Sequence, residues 1–251
     1  MKRQIRESAP AAQTALPSAE TKNYAVIIPA LNPIPGMVDL VRQLLQQGVA
    51  QVIVVNDGSD ESYDPIFDAV EKMDNCAVLR HPINRGKGRA LKTAFAHVLK
   101  HHQQLDGVVT ADADGQHTID DICKIGERLA AEQESLILGV RNFQEENVPL
   151  RSYIGNTLTS RVFHWWYGVE LHDTQTGLRG IPLQAISWMV DLEGERYDLE
   201  INMLIHAKRH NLKLLTIPIA TVYYDNNANS HYSTIGDSLF ILWRLILGLI
   251  K

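Results

Sequence analysis

The first half of the chain alternates between two hydrophobic periods, and this alternation constrains the fold more than any other feature of the 251-residue sequence. Short apolar runs that end on proline, glycine or acidic residues predict buried strands, and the segments between them have the helical period. The predicted strands are 24–30, 51–58, 76–80, 107–114 and 135–140, and the predicted helices are 36–48, 62–73, 88–102 and 118–132. Strands that alternate with such helices predict an α/β fold, with a mostly parallel sheet flanked by helices.

The second half of the chain is less regular. Its predicted elements are an amphipathic helix over 149–168, a turn and strand over 173–182, a helix over 198–210 and a strand over 212–224. Because neither an internal repeat nor a linker composition divides the sequence, we expect one domain over 23–232. A flexible polar tail (1–22) is expected before it and an amphipathic segment (233–251) after it.

The last residues of the sequence predict contact with a membrane surface. SLFILWRLILGLIK (238–251) is apolar but is interrupted by Arg244, and the sequence contains no run of the roughly 20 apolar residues that a spanning helix needs. An apolar helix that carries tryptophan and flanking cations suits the bilayer interface. We therefore expect a C-terminal interfacial helix.

Charge and cysteine usage restrict the partners and the compartment. A net charge of −5 provides no global basic field, so nucleic acid is not an expected partner. Cys76 and Cys123 lie far apart, which suits a reducing compartment, and the N-terminus lacks the apolar core of a secretory signal. The protein is expected to be cytoplasmic.

Polar clusters follow four of the predicted strands: PALN (29–32), NDGSD (56–60), HPINRGKG (81–88) and DADGQH (112–117). In open parallel sheets, ligands bind outside the carboxyl ends of the strands. The four clusters are therefore expected to converge on one crevice.

Asp112 and Asp114 are candidate metal ligands. In extended geometry, residues i and i+2 project to the same side, so both carboxylates and Gln116 could reach one cation. Oxygen ligands suit a hard ion, Mg²⁺ or Mn²⁺, which is shared with substrate phosphates. The alternative is an acidic turn in which an aspartate or Thr118 caps the next helix.

Two further clusters predict contacts with a nucleotide. Asp57 could accept hydrogen bonds from a base or ribose, although Asn-Asp-Gly is also a common turn composition. Lys87, between two glycines at a helix start, is a natural cation for a phosphate, although the spacing is not that of a P-loop. A plain glycine turn is the alternative.

Basic and acidic residues of the second half are harder to interpret. Arg141, Arg151 and Arg179 are either surface charges or bidentate phosphate ligands. The carboxylates of ERYDLE (195–200) are explained by helix capping and the helix dipole, without chemistry.

Seven motifs, in order, resemble inverting family 2 glycosyltransferases with the GT-A fold. They are VIIPALN, VVNDGSD, NRGKGRALKTAF, TADADGQH, LGVR, PLRSYIGN and DTQTGLRG, and the likeness covers residues 24–225. Within the family, the chain is most similar to the dolichyl-phosphate mannosyltransferase-like, or polyprenyl-phosphate glycosyltransferase, branch.

The resemblance implies roles for individual residues. It places Pro29, Asn32 and Asp57 in a nucleotide pocket, Lys87 on the donor-side loop, Asp112 at the nucleotide and the metal, Asp114 and Gln116 at the metal, and Arg141 and Arg151 at the donor diphosphate and acceptor phosphate. Outside the resemblance, Arg179 as a bidentate phosphate ligand and His231 in the segment just before the C-terminal helix are further candidates for the acceptor side. Pro33 departs from the family, which commonly has glutamate after the asparagine.

The resemblance further implies Mg²⁺- or Mn²⁺-dependent transfer of a sugar from a UDP- or GDP-sugar to a polyprenyl phosphate. The acceptor phosphate is already anionic, so no strong general base is required. The expected location is peripheral, on the inner face of the cell membrane, and a separate membrane-spanning partner is left open.

Three other functions stay open on the sequence alone. A transferase of the same fold could act on a saccharide hydroxyl, which needs a general base. A sugar-nucleotide pyrophosphorylase is disfavoured, because its Gly-rich loop near the first strand is missing. A non-catalytic membrane adaptor would bind lipid without sugar nucleotide.

Overall fold

A computed structural model describes residues 22–141, 157, 159–165, 168, 171 and 173–220. The strands in these ranges are β1 (Lys22–Ala30), β2 (Val49–Asp57), β3 (Cys76–His81), β4 (Gly107–Thr110), β5 (Ser135–Arg141), β6 (Arg179–Pro182) and β7 (Lys213–Ile219). The helices are α1 (Met37–Gln46), α2 (Asp64–Glu71), α3 (Lys87–His101), α4 (Ile119–Ala131), α5 (Leu183–Met189) and α6 (Asp198–Arg209). A 3₁₀ turn, Glu61–Tyr63, precedes α2, and residues 159–165 are helical.

All seven strands form one sheet, in the order β3-β2-β1-β4-β6-β5-β7. Strand β6 runs antiparallel to both of its neighbours, whereas the other pairs are parallel. The α/β prediction with a mostly parallel sheet is confirmed. Because β6 is antiparallel to both β4 and β5, those two strands run in the same direction. The carboxyl ends of β1, β2, β4 and β5 therefore lie at one edge of the sheet.

Helices cover both faces of the sheet, which explains the nearly continuous apolar runs of its strands. On one face, Ala25 and Ile27 of β1 pack in a cluster with α3, α5 and α6. On the other face, Val26 and Ile28 pack with α1, α2 and α4. These four β1 side chains are fully buried. Burial on both sides anchors the strands and leaves the loops at their carboxyl ends to form the site.

Two features of the fold differ from the sequence prediction. Helix α5 was not predicted, because its seven residues follow Pro182 directly and provide less than two turns of periodic pattern. Strand β4 ends at Thr110, so the argument that Asp112 and Asp114 alternate along an extended strand is wrong. The chain turns instead, with Gly115 at a φ of 79°.

Several predictions concern residues outside the described ranges. The tail is among them, except that Lys22 already belongs to β1. The C-terminal segment and the first part of the 149–168 helix also lie outside. Among the described residues, no helix is both long and apolar enough to cross a membrane.

Candidate active site

Residues from all four polar clusters line one cleft of about 430 Å³ at the carboxyl ends of β1, β2 and β4. The predicted site residues among its walls are Pro29, Asn32, Asp57, Lys87, Asp112 and Asp114. The segment before α6 completes the cleft with Arg196 and Tyr197. Four sequence clusters and a fifth segment therefore meet at one edge of the sheet.

The loops after β1 and β2 are joined by hydrogen bonds between backbone and side chains. The backbone N–H of Asn32 donates to Ser59 Oγ at 2.9 Å, and the N–H of Asp60 donates to Asn32 Oδ1 at 3.1 Å. Asn32 has a φ of 49°, a left-handed conformation that asparagine tolerates better than most residues. These bonds fix the shape of the proposed nucleotide wall.

Asp57 holds the loop that carries Lys87. Its buried carboxylate accepts hydrogen bonds from the backbone N–H groups of Arg85 at 3.0 Å and Gly86 at 2.7 Å. His81 Nδ1 lies 2.6 Å from Asp57 Oδ1, and His81 Nε2 lies 3.0 Å from Thr93 Oγ1. Asp57 lines the cleft, but both of its carboxylate oxygens bind protein groups. From the sequence, Asp57 was predicted to contact a base or ribose; its role in holding the loop of Arg85 and Gly86 was not predicted.

Lys87 is the first residue of α3, and its ammonium lies between two carboxylates. Its Nζ is 2.6 Å from Asp112 Oδ1 and 2.8 Å from Glu200 Oε1. Burial alone would lower the pKa of Lys87, but the charges of Asp112 and then Glu200 outweigh it and raise the pKa well above its usual value. Glu200 was missed from sequence, because a carboxylate in the first turn of a helix is ordinary.

Asp112 and Asp114 have opposite electrostatic environments. Burial would raise the pKa of Asp112, but the ammonium of Lys87 outweighs it and holds that pKa well below its usual value. Burial, and then the charge of Asp112, raise the pKa of Asp114. The pair therefore concentrates more negative charge than Lys87 neutralises, and an additional cation would relieve the repulsion.

The residues present fit a divalent cation that is completed by substrate. Asp112 and Asp114 both line the cleft, and carboxylate oxygens are the donors that Mg²⁺ and Mn²⁺ prefer. The described residues contain no closed group of three or more His, Cys, Asp or Glu ligands, as expected where phosphate oxygens and waters supply the remaining positions. Gln116 lies in the same turn, but it is not among the residues that line the cleft.

The backbone beside the carboxylates leaves room for them. A Cβ added at Gly177 would lie 2.4 Å from Asp112 Oδ2 and 2.9 Å from Lys87 Nζ. The carbonyl of Gly177 accepts a 2.7 Å hydrogen bond from the buried Thr110 hydroxyl. His117 Nε2 lies 3.5 Å from Asp112 Oδ2 on the other side. Glycine at 177 therefore makes space for the Lys87–Asp112 pair.

The arginines selected from sequence lie in different places. Arg141, at the end of β5, forms a bidentate ion pair with buried Asp173, with Nε 2.7 Å from Oδ2 and Nη2 3.2 Å from Oδ1. Arg179 is fully buried, and its guanidinium donates to the carbonyls of Thr176, Glu200 and Thr174.

This burial corrects the expectation of an acceptor-side contact for Arg179, because its guanidinium has no exposed surface and is bonded to the backbone beneath the site. Arg151 and His231 lie outside the described residues, so their roles stay predictions.

Comparison with known proteins identifies relatives of this chain. The model of the family described as "Glycosyl transferase family 2" matches residues 25–182. The chain is 30% identical over 242 residues to the UDP-N-acetylglucosamine–dolichyl-phosphate N-acetylglucosaminyltransferase of Methanococcus voltae, covering 88% of this chain and 94% of the relative. It is also 30% identical over 226 residues to an uncharacterized protein of Methanocaldococcus jannaschii, covering 88% and 90%.

Solved structures show the same fold. Glucosyl-3-phosphoglycerate synthase from Mycobacterium tuberculosis, in complex with Mn²⁺, UDP and glucosyl-3-phosphoglycerate, matches with a TM-score of 0.66 over 91% of this chain and 80% of that chain. At 16% sequence identity the likeness concerns the fold, and it confirms the predicted GT-A arrangement. That enzyme has also been crystallised with Mg²⁺ and UDP.

Proposed function

The chain belongs to glycosyl transferase family 2 and is a glycosyltransferase, and we propose that it transfers a sugar from a nucleoside-diphosphate sugar to a polyprenyl phosphate. The transfer inverts the anomeric carbon and uses Mg²⁺ or Mn²⁺. The observation that carries the proposal is that Lys87, Asp112 and Asp114 line one cleft together with Asn32, with Lys87 paired to Asp112.

Each wall of the cleft has a task in this reaction. The loops of Asn32 and Asp57 form the nucleotide wall, and the start of α3 at Lys87 is assigned to the diphosphate, since a helix N-terminus favours anions. Asp112 and Asp114 would hold a divalent cation, which would supply charge neutralisation for the leaving nucleoside diphosphate. Lys87, which is paired with Asp112, holds that carboxylate in place beside the proposed cation.

A phosphate acceptor suits the carboxylates of the cleft. Among the described residues that line it, the carboxylates are Asp57, Asp112 and Asp114. Asp57 is bonded to backbone N–H groups, Asp112 is paired with Lys87, and Asp114 is assigned to the cation. Each of these three carboxylates thus has another task, whereas transfer to a sugar hydroxyl would need a carboxylate that is available as general base.

The bond changes balance without a base. An oxygen of the acceptor phosphate forms a bond to the anomeric carbon from the face opposite the leaving group. The bond between that carbon and the β-phosphate oxygen breaks, and its electron pair leaves on the nucleoside diphosphate. The relative from Methanococcus voltae is named for a dolichyl-phosphate acceptor, which supports the same acceptor class here.

The proposed location is the inner face of the cell membrane, with the active site near the lipid head groups. The support is the apolar sequence 238–251 with its tryptophan and flanking cations, which suits an interfacial helix. A polyprenyl phosphate presents its head group at that surface. Arg141, Arg151 and His231 are the proposed contacts for the diphosphate and the acceptor phosphate.

The test measures nucleoside diphosphate release from a panel of UDP- and GDP-sugars, with farnesyl phosphate or a simple sugar as acceptor. We expect release only with a divalent cation and the isoprenoid phosphate. Asp114→Asn should reduce turnover at least about 100-fold, because transition-state charge stabilisation of this kind has that magnitude.

Asp120→Asn is the matched control, because Asp120 is an exposed carboxylate in the first turn of α4, outside the cleft. It should retain wild-type turnover. Full activity of Asp114→Asn would exclude the proposed metal site. Activity with the sugar acceptor alone would assign the enzyme to hydroxyl transfer.

A further inference from the structure

The segment before α6 is bound to α3, next to the loop of Gly86. Arg89 of α3 pairs with both carboxylate oxygens of Glu195, and its backbone N–H donates to the Glu195 carbonyl at 3.0 Å. Lys92 Nζ lies 2.7 Å from Glu195 Oε1 and donates to the carbonyl of Leu192 at 3.2 Å. Two cations and a backbone hydrogen bond therefore hold Glu195 against the helix.

Close backbone packing adds to this attachment. A Cβ added at Gly86 would lie 2.4 Å from the Glu195 carbonyl oxygen, and one added at Gly88 would lie 2.7 Å from the Arg196 carbonyl oxygen. The two glycines of NRGKG thus allow the segment to lie directly on the loop. The function proposed above does not explain why a loop from the second half of the chain is held so tightly there.

Arg196 is the residue that this attachment presents to the cleft. Its backbone N–H donates to Asp198 Oδ1 at 3.0 Å, and its side-chain stem packs on Gly86, where an added Cβ would be 2.9 Å from Cγ. Arg196 is exposed and lines the cleft, together with Lys87, Asp112 and Asp114. Its side chain therefore crosses the loop that faces the diphosphate.

The guanidinium of Arg196 differs from the other cation of the cleft. Lys87 is neutralised by Asp112 and Glu200, whereas no acidic side chain in the described part of the chain pairs with Arg196. An arginine held at its backbone and without a carboxylate partner can offer its planar fork to a ligand. A planar guanidinium binds two oxygens of one anion, such as a phosphate, at the same time.

We propose that Arg196 is a phosphate-binding side chain of the cleft, which donates to an anionic oxygen of the donor diphosphate or of the acceptor phosphate. The proposal rests on the function proposed above and adds a residue from a segment interpreted as helix capping alone. Glu195 is then a positioning residue, because it acts through the segment and does not itself line the cleft.

The test compares Arg196→Gln with wild type in two measurements. Calorimetry with UDP and with GDP, each with Mn²⁺, reports the donor diphosphate, and the KM for farnesyl phosphate reports the acceptor phosphate. One of these constants should rise roughly 10- to 100-fold, as expected for losing hydrogen bonds to a charged group. Arg196→Lys should recover part of the loss, because it retains the charge but not the fork.

Arg42→Gln is the matched control, since Arg42 is exposed on α1 and the substitution removes the same charge. The unfolding temperature should stay unchanged in Arg196→Gln, because the side chain has no acidic partner to lose among the residues that the structure describes. If wild type binds and transfers but Arg196→Gln matches Arg42→Gln in both constants, this proposal alone is overturned. If wild type neither binds a nucleotide nor transfers sugar, both proposals are overturned.

Discussion

Lys87 Nζ lies 2.6 Å from Asp112 Oδ1, so a cation from the start of α3 and a carboxylate from the turn after β4 form an ion pair in the wall of the cleft. Glu200, 2.8 Å away on the other side, shares the same ammonium. A divalent cation at Asp112 would compete with Lys87 for that carboxylate. Metal binding and the position of Lys87 are therefore coupled.

Replacing Lys87 by methionine should destabilise the metal-free protein by about 2–4 kcal/mol, because two largely buried carboxylates would lose their shared counter-charge. Excess Mn²⁺ should recover part of this loss by neutralising Asp112. Thermal unfolding with and without Mn²⁺ measures both effects. Lys72→Met, at an exposed position after α2, is the control and should respond to neither. Equal stability of Lys87→Met and wild type without metal would refute the coupling.

Replacing Asp57 by asparagine should weaken the loop that carries Lys87. Asn has one acceptor oxygen where Asp57 uses two for Arg85 and Gly86, so a backbone N–H loses its partner. The expected loss is about 1–3 kcal/mol in the free energy of unfolding, together with weaker nucleotide binding. Urea unfolding and nucleotide calorimetry measure the two effects. Asp60→Asn, exposed in the adjacent turn, should change neither; a similar loss in both variants would contradict the assignment.

Replacing Gly177 by alanine should damage the site more than the fold. The added Cβ would overlap Asp112 Oδ2 at 2.4 Å and Lys87 Nζ at 2.9 Å, which are mobile ends of side chains. We expect turnover to fall roughly 100-fold, because displacement of catalytic groups by about 1 Å has that effect. The free energy of unfolding should fall by only about 1 kcal/mol.

Turnover and urea unfolding, measured on the same preparation, separate these two effects. Gly36→Ala is the control, since a Cβ there meets only Ile34 Cδ1 at an ordinary 3.7 Å. Loss of folding without a specific loss of turnover in Gly177→Ala would contradict the proposed geometry.

The histidines at the end of α3 should make stability depend on pH. Burial first, and then the neighbouring His101, lower the pKa of His97 and His102 below 6.5, and His102 and Lys100 contribute further to His97. Because the unfolded chain binds these protons more readily, stability should rise with pH through the window between the folded pKa values and 6.5. This contribution to stability should be lost as the pH falls from 6.5 through the pKa values that the two histidines have in the folded protein.

Urea unfolding between pH 5 and 8 checks this prediction. The double variant His97→Gln/His102→Gln should show a smaller rise than wild type over the window below 6.5. Identical curves for the two proteins would contradict it, and the comparison cancels the contribution of carboxylates that both proteins share.

Much of the fold could be predicted from the sequence, because hydrophobic periods report burial over a few neighbouring residues. Strands β1 and β2 were predicted within two residues of their observed ends, and α3 within one. Helix α5 was missed because seven residues carry too little periodic signal. The antiparallel direction of β6 was also invisible, since a short apolar strand has the same pattern in either direction.

The sequence by itself determined the buried strands, the polar clusters after them and therefore which edge of the sheet carries the site. Only the tertiary structure decided what those polar residues do: Asp57 binds the loop of Gly86, Lys87 lies between Asp112 and Glu200, and Arg179 is buried in the core. The physical reason is range. Local patterns encode burial and turns, whereas the partner of a charge depends on which distant segments pack against it. Arg196 reaches the cleft because Glu195, its neighbour in sequence, is paired with Arg89 of α3.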